Sequence, residues 1–389
     1  MKKFNYYMPT RIIEGENCIA QNPALLALGK KALIVTGGSG ARKSGALGDA
    51  EAALDSAGIG HAVFDGVKEN PAVSLCEAGG KAARDAGADF VIGIGGGSAL
   101  DASKAVAAYA ANPDVHGTEI YTASLAPSLP LIAVPTTSGT GSEVNPYAVL
   151  TIDAENRKKT FNSPCSYPKT AFLDPRYTAS LGENYTLSTA LDAFCHCIES
   201  YLSPKSTEQS SLFALYGGKL LWEILRDWES RENEEIFVPE EEAADDRRGD
   251  AAGLTGTARA LLMRAAAAGG LAINTTGTGF PHPLGYSITL EKGTPHGRAC
   301  GVFTGDFIRY NQKCEEGAER LESFAAYCGT VPGKIASVIP ALADVHFDLD
   351  EEEIVRCVDK VKGAGNYANS QYVISDEEKL AIYRAHFLK

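Results

Sequence analysis

The chain has 389 residues, 44% of them apolar, and a net charge of −13. That length exceeds what one ordinary core holds and predicts two domains. The acidic balance argues against a nucleic-acid binder, which needs clustered Lys and Arg to meet phosphate, and no run of about eighteen uncharged apolar residues exists to cross a membrane.

The first fifteen residues, MKKFNYYMPTRIIEG, hold two lysines but no apolar stretch of the kind a secretory signal carries. The nine cysteines are scattered and odd in number, which reads as reduced thiols. Both points set the expectation of a soluble, cytoplasmic protein.

In chain order, Ala32–Thr36 is a predicted strand ending in a glycine-rich turn, followed by a helix over 46–57. His61–Phe64 reads as a strand, 72–86 as a helix, Asp89–Ile94 as a strand, 102–111 as a helix and Leu131–Val134 as a strand. This alternation predicts a parallel sheet covered by helices on both faces. From about Leu187 the pattern turns helical, over 189–201, 210–228 and 257–274. The expected division is an α/β domain over residues 1–184 and an all-helical domain over 185–389. Ser188 or Thr189 is the expected N-cap of the first long helix of the second domain. Glu229 to Asp250, with ten acidic residues and three arginines, is read as a solvated insertion.

Three loops follow predicted parallel strands, where open α/β sheets place ligands. Gly95-Gly96-Gly97-Ser98 opens a helix, and its backbone N–H groups suit a pyrophosphate. The run from Pro135 to Glu143 offers Thr136, Thr137 and Thr140 hydroxyls. The third loop holds Gly37, Gly38, Ser39, Arg42, Lys43 and Ser44, with no carboxylate from Thr36 to Gly48. A site choosing NAD usually presents a carboxylate to the ribose 2′-hydroxyl, so this loop favours NADP(H) over NAD(H).

Asp192 and His196 stand four apart and share one helix face, while His282 and His296 frame the segment HPLGYSITLEKGTPH. With seven histidines in the chain, three in such settings point to one divalent cation held by imidazoles and a carboxylate.

Taken together, these elements resemble the iron-containing, group III alcohol dehydrogenases, in the branch labelled 1,3-propanediol dehydrogenase-like or butanol dehydrogenase-like. The resemblance runs from Tyr7-Met-Pro-Thr10 through Gly95–Ser98 with Asp101 and Lys104, Pro135–Val144, Phe172–Pro175 and Asp192–His196 to Pro295-His296-Gly297. It implies the two-domain architecture shared with dehydroquinate synthase, an α/β dinucleotide-binding domain with a parallel sheet over 1–184 and an all-helical metal-binding domain over 185–389, with the site in the cleft between them. It also implies Asp192, His196, His282 and His296 as ligands of Fe2+, with Zn2+ the alternative. Cofactor contacts from Gly97, Ser98, Thr136 and Thr137 are implied, with Asn70 and Asp101 nearby and Lys158 as the cofactor lysine. Tyr286 stands where many members carry a second histidine and is a candidate proton relay. The implied activity is hydride transfer between NAD(P)(H) and a small alcohol or aldehyde; a homodimer or higher homo-oligomer is expected because two-fold homo-oligomers are the commonest assemblies. A glycerol or polyol(-phosphate) dehydrogenase, or a dehydroquinate-synthase-like lyase, is the alternative on the same architecture.

Overall fold

The computed structural model describes residues 5–228 and 250–389, so all but the last residue of the expected acidic insertion lies outside the described residues. The first half supplies strands β1 (Arg11–Glu14), β2 (Lys31–Thr36), β3 (Gly60–Phe64), β4 (Phe90–Gly95), β5 (Leu131–Pro135), β6 (Tyr147–Ile152), β7 (Arg157–Asn162) and β8 (Thr170–Leu173). Its helices are α1 (Cys18–Gln21), α2 (Gly40–Lys43), α3 (Ala46–Ser56), α4 (Val73–Ala86) and α5 (Gly97–Ala111). Six strands form one sheet in the order β1-β8-β5-β4-β2-β3, and every pairing in it is parallel.

Alternation along the strands builds two apolar layers. Ala32, Ile34, Ile92 and Ile94 pack with Ala46, Leu47 and Leu54 of α3 on one face. Leu33, Val35 and Val91 pack with Val73 and Cys76 of α4 and Ala102, Ala105 and Val106 of α5 on the other. β2, β4 and β5 are buried on both faces, which is why they read as continuous apolar runs in the sequence.

β6 and β7 form a separate antiparallel hairpin that the sequence reading did not contain. β7, Arg157-Lys-Lys-Thr-Phe-Asn162, buries only Phe161, so it carries almost no strand signal. β1 and β8 were missed too, being four residues each. Part of the loop after β2 is helical, as α2.

The second half supplies α6 (Glu183–Tyr201), α7 (Glu208–Leu225), α8 (Gly256–Thr276), α9 (Pro281–Lys292), α10 (His296–Gly301), α11 (Thr304–Asn311), α12 (Glu315–Tyr327), α13 (Pro332–Ala343), α14 (Glu351–Val361) and α15 (Asp376–Phe387). The expected N-cap at Ser188 or Thr189 is corrected, because α6 begins at Glu183 and both residues lie inside it. Thr189 turns its hydroxyl back onto the Thr186 carbonyl at 3.0 Å, a use open to a threonine within a helix.

The described residues form two compact units, one of 7–182 and 250–263, the other of 5–6, 183–228 and 264–389. Residues 250–263 join the α/β unit through specific bonds. Ala251 donates its N–H to the Ala179 carbonyl, and Arg259 pairs with Asp250 and donates to the Leu181 carbonyl. No described helix is long and apolar enough to cross a membrane.

Candidate metal centre and nucleotide loops

Within the helical unit, α6 presents Asp192 and His196 one turn apart, α9 presents His282 in its first turn, and α10 begins at His296. The Nε2 atoms of His196, His282 and His296 lie 3.7, 3.5 and 3.8 Å from the same atom, Oδ1 of Asp192. The His196 and His282 rings stack with centroids 4.8 Å apart, and the His282 and His296 rings meet edge-on at 5.5 Å. Asp192, His196 and His282 are all buried. His296 keeps 30% of its side-chain surface and forms the open rim of the cluster.

These distances are too long for hydrogen bonds. Asp192 Oδ1 and His282 Nε2 are buried without any hydrogen-bond partner among the described residues. Burial of unpaired polar atoms is costly, and acceptors converging at this spacing are what a divalent cation would satisfy. The residues therefore fit a metal.

Glu199, seven residues after Asp192 on α6, sets the state of His282. Its carboxylate accepts from His282 Nδ1 at 2.8 Å and from the Gly279 N–H at 2.7 Å. With the Nδ1 proton held by Glu199, Nε2 is the nitrogen turned to the Asp192 side, where a cation would take the place of a proton. Burial alone would lower the His282 imidazole, but the Glu199 and Asp192 carboxylates outweigh it and push it up to about 9. Burial likewise opposes ionised Asp192, yet the surrounding imidazoles hold its carboxyl well below the usual range. Ionised Asp192 thus gives the site a demand for positive charge, while burial pushes the Glu199 carboxyl up against the pull of His282. Glu199→Gln is expected to weaken binding of a divalent cation by about 10- to 100-fold while the chain stays folded; a competition titration against a chelator measures it, and unchanged affinity would contradict this role.

α10 reaches α6 because residue 297 is glycine. A Cβ there would stand 1.7 Å from the Ser188 carbonyl oxygen and 2.9 Å from the Asp192 nitrogen. Tyr286 stacks on His296 with ring centroids 5.6 Å apart, which places the phenol at the rim of the cluster.

In the α/β unit, the strand order reverses direction between β2 and β4, and ligands of open α/β sheets bind beyond the carboxyl ends of strands at such a point. Gly37, Gly38 and Ser39 follow β2, while Gly96, Gly97 and Ser98 follow β4. Gly95 is in register with Pro135, so the loop after β5 lies alongside. A Cβ on Gly97 would meet Thr140 at 2.4 Å, and one on Gly96 would meet Thr137 at 3.2 Å. Lys43 is exposed on α2, and Thr136 is buried. The Asn70 carbonyl accepts from Thr151, whose cross-strand neighbour is Lys158. Asp101 is engaged within the unit, since its two oxygens accept from Ser142 Oγ at 2.6 Å and Val149 N–H at 2.8 Å.

The description "Iron-containing alcohol dehydrogenase" matches residues 9–175, and "Fe-containing alcohol dehydrogenase family, C-terminal" matches 251–381. The chain belongs to the iron-containing alcohol dehydrogenase family. It is 30% identical over 406 aligned positions to a sulfoacetaldehyde reductase of Bilophila wadsworthia, covering 99% of each chain. Among solved structures it is similar to an iron-containing alcohol dehydrogenase of Thermotoga maritima, with TM-score 0.86, 32% identity and 98% and 99% coverage of the two chains. It is also similar to a sulfoacetaldehyde reductase of Bifidobacterium kashiwanohense solved with NAD+, with TM-score 0.81, 26% identity and 99% coverage of both chains.

For this dehydrogenase, sequence reading missed Glu199, although Asp192, His196 and Glu199 recur at the spacing of one helix face. It also left Lys104 and Ser142 without a role. Lys104, 1% exposed, donates to Ser142 Oγ and to the Tyr147 carbonyl, both at 2.6 Å. Together with Asp101 it pins the loop after β5 to α5. Burial pushes the Lys104 amine down to about 8.

Burial pushes the neighbouring Glu143 carboxyl up to about 7 from 4.5. Between those values the folded chain keeps a proton that the unfolded chain has lost. The stability from this group is whole below about pH 4.5 and is lost as pH rises through about 7. Glu143→Gln, neutral throughout, is expected to gain melting temperature relative to wild type from about pH 5 to about pH 8. A difference that does not change with pH would contradict the assignment.

Proposed function

We propose that this family member transfers hydride between a nicotinamide cofactor and a small alcohol or aldehyde, with Asp192, His196, His282 and His296 holding one divalent cation, Fe2+ first and Zn2+ as the alternative. The observation that carries this is three imidazole nitrogens within 3.8 Å of one buried carboxylate oxygen. Bound there, the cation would supply Lewis acidity toward the alcohol or carbonyl oxygen.

The chain's own residues do the rest. Asp192 provides the negative charge that retains a cation. Glu199 holds the His282 tautomer, and burial keeps water from three of the four donors. Gly96, Gly97 and Ser98, at the N-terminus of α5, offer backbone N–H groups to the cofactor pyrophosphate. Thr136, Thr137, Thr140, Asn70 and Lys158 complete the cofactor contacts, and Asp101 acts by shaping the loop that carries the three threonines. Tyr286, at the rim beside His296, is placed to pass a proton, although a phenol is a weak base near neutral pH.

Ser39 and Lys43 support NADP(H) over NAD(H), because a cation and a hydroxyl suit a 2′-phosphate. Lys43→Ala is expected to raise KM for NADPH by about tenfold and to leave KM for NADH nearly unchanged. The test of the activity is consumption of NADPH and NADH with a panel of aldehydes, including sulfoacetaldehyde and lactaldehyde, after which relatives are named. Turnover with at least one small aldehyde is expected; none with any, in protein carrying a full complement of iron, would sink the proposal.

A further inference from the structure

In the loop between α8 and α9, one peptide group is held at both ends. Its N–H, on Gly279, donates to Glu199 Oε2 at 2.7 Å, and its carbonyl, on Thr278, accepts from the Asn369 side-chain amide at 2.9 Å. Glu199 Oε2 in turn accepts from His282 Nδ1 at 2.8 Å. A continuous chain of hydrogen bonds therefore runs from Asn369 through the 278–279 peptide and Glu199 to His282. Every residue of it is buried, so water competes little along it and each bond polarises the next.

The loop is shaped for this contact. The peptide lies after α8 ends at Thr276 and before α9 starts at Pro281, so neither of its polar groups has a helical partner and both need one when buried. Gly277 takes a φ of +66°, and a Cβ on it would stand 2.9 Å from Asn369 Nδ2. A carbonyl can only accept, so the Asn369 atom facing Thr278 is the amide nitrogen. Asn366 belongs to the same short turn, Gly365–Asn369, but donates to the Thr278 hydroxyl at 2.7 Å and not to the peptide.

Resting on the reading that Asp192, His196, His282 and His296 hold a cation, we propose that Asn369 is a positioning residue for that centre, acting on the His282 ring through the 278–279 peptide and Glu199. A carbonyl that accepts a hydrogen bond makes the N–H of its own peptide a stronger donor. The peptide so held keeps Glu199 aligned on His282 Nδ1, and this alignment leaves Nε2 aimed at Asp192 Oδ1, 3.5 Å away. Without the Asn369 amide, nothing fixes the plane of the peptide from its carbonyl side, and Glu199 loses a fixed donor on Oε2.

The test is a double-mutant cycle on the full-length chain, read as Zn2+ affinity by competition with a chelator. Asn369→Ala removes the donor, and Asn369→Leu removes it with little change in volume. Each is expected to weaken Zn2+ binding by at least about threefold. In a Glu199→Met background, where the side chain no longer accepts, either substitution should weaken it by less than about twofold further. Asn366→Ala, which unties only the Thr278 hydroxyl, should cost less than about twofold. Unchanged affinity in both Asn369 variants, or the same fold loss with and without Glu199, overturns the role of Asn369 and leaves the four-residue reading standing. Wild type that binds no Zn2+, or Zn2+ binding that His282→Ala does not weaken, overturns both.

Discussion

His282→Ala is expected to leave the purified chain with less than about a tenth of its divalent metal and to lower kcat/KM by at least about a thousandfold, roughly 4 kcal/mol of transition-state stabilisation. The reason is the position of His282 between two carboxylates. Its Nε2 faces Asp192, and its Nδ1 binds Glu199. Removing it deletes one donor and leaves Glu199, fully buried, with only the Gly279 N–H, which costs about 1–3 kcal/mol of stability. The two effects separate in the double variant. His282→Ala with Glu199→Gln should regain part of the melting temperature, because the buried carboxyl that lost its partner is gone, but not the metal. Metal content by elemental analysis and melting temperature by calorimetry report the two quantities independently. Full metal content in His282→Ala would end the assignment of that residue.

Gly297→Ala is expected to be as damaging for a different reason. The added methyl carbon would stand 1.7 Å from a backbone oxygen of α6, and a main-chain atom in mid-helix cannot swing aside as a side chain can. α10 must move off α6, carrying His296 from Asp192. Overpacking usually costs about 1–3 kcal/mol, occasionally more, and a clash this close with backbone belongs at or above the upper end. The variant should therefore lose melting temperature both with and without metal, and lose cation affinity as well. Gly333→Ala is the control, since a Cβ there meets nothing within 4 Å; it should leave both quantities nearly unchanged. A Gly297→Ala protein indistinguishable from wild type would mean that the helix contact does not build the centre.

The features that sequence reading recovered are those with a repeating physical signature. β2, β4 and β5 are buried on both faces and so write uninterrupted apolar runs, and α3, α4 and α5 write the period of a helix against them. Asp192 and His196 were legible because a helix face imposes their spacing. Glu199 carried the same signal one turn further on, but a glutamate on a helix has so many ordinary uses that spacing alone does not single it out. The start of α6 was misplaced because Ser188 and Thr189 are favoured at N-caps, whereas here Ser188 is buried beside Gly297 of α10 and Thr189 turns its hydroxyl onto the Thr186 carbonyl inside the helix. The hairpin of β6 and β7 escaped because a strand with one buried residue lacks the alternation that marks strands. Asp101 fell within a matching motif, but only its bonds to Ser142 and Val149 show that it shapes a loop.

The central claim is that a single divalent cation sits among Asp192, His196, His282 and His296. Anomalous diffraction at the iron edge, from crystals of anaerobically iron-loaded protein, tests it most directly. One strong peak at bonding distance from Asp192 and from the Nε2 atoms of His196, His282 and His296 is the predicted result. A peak elsewhere in the chain, or iron-loaded crystals with no peak among these four residues, would contradict it.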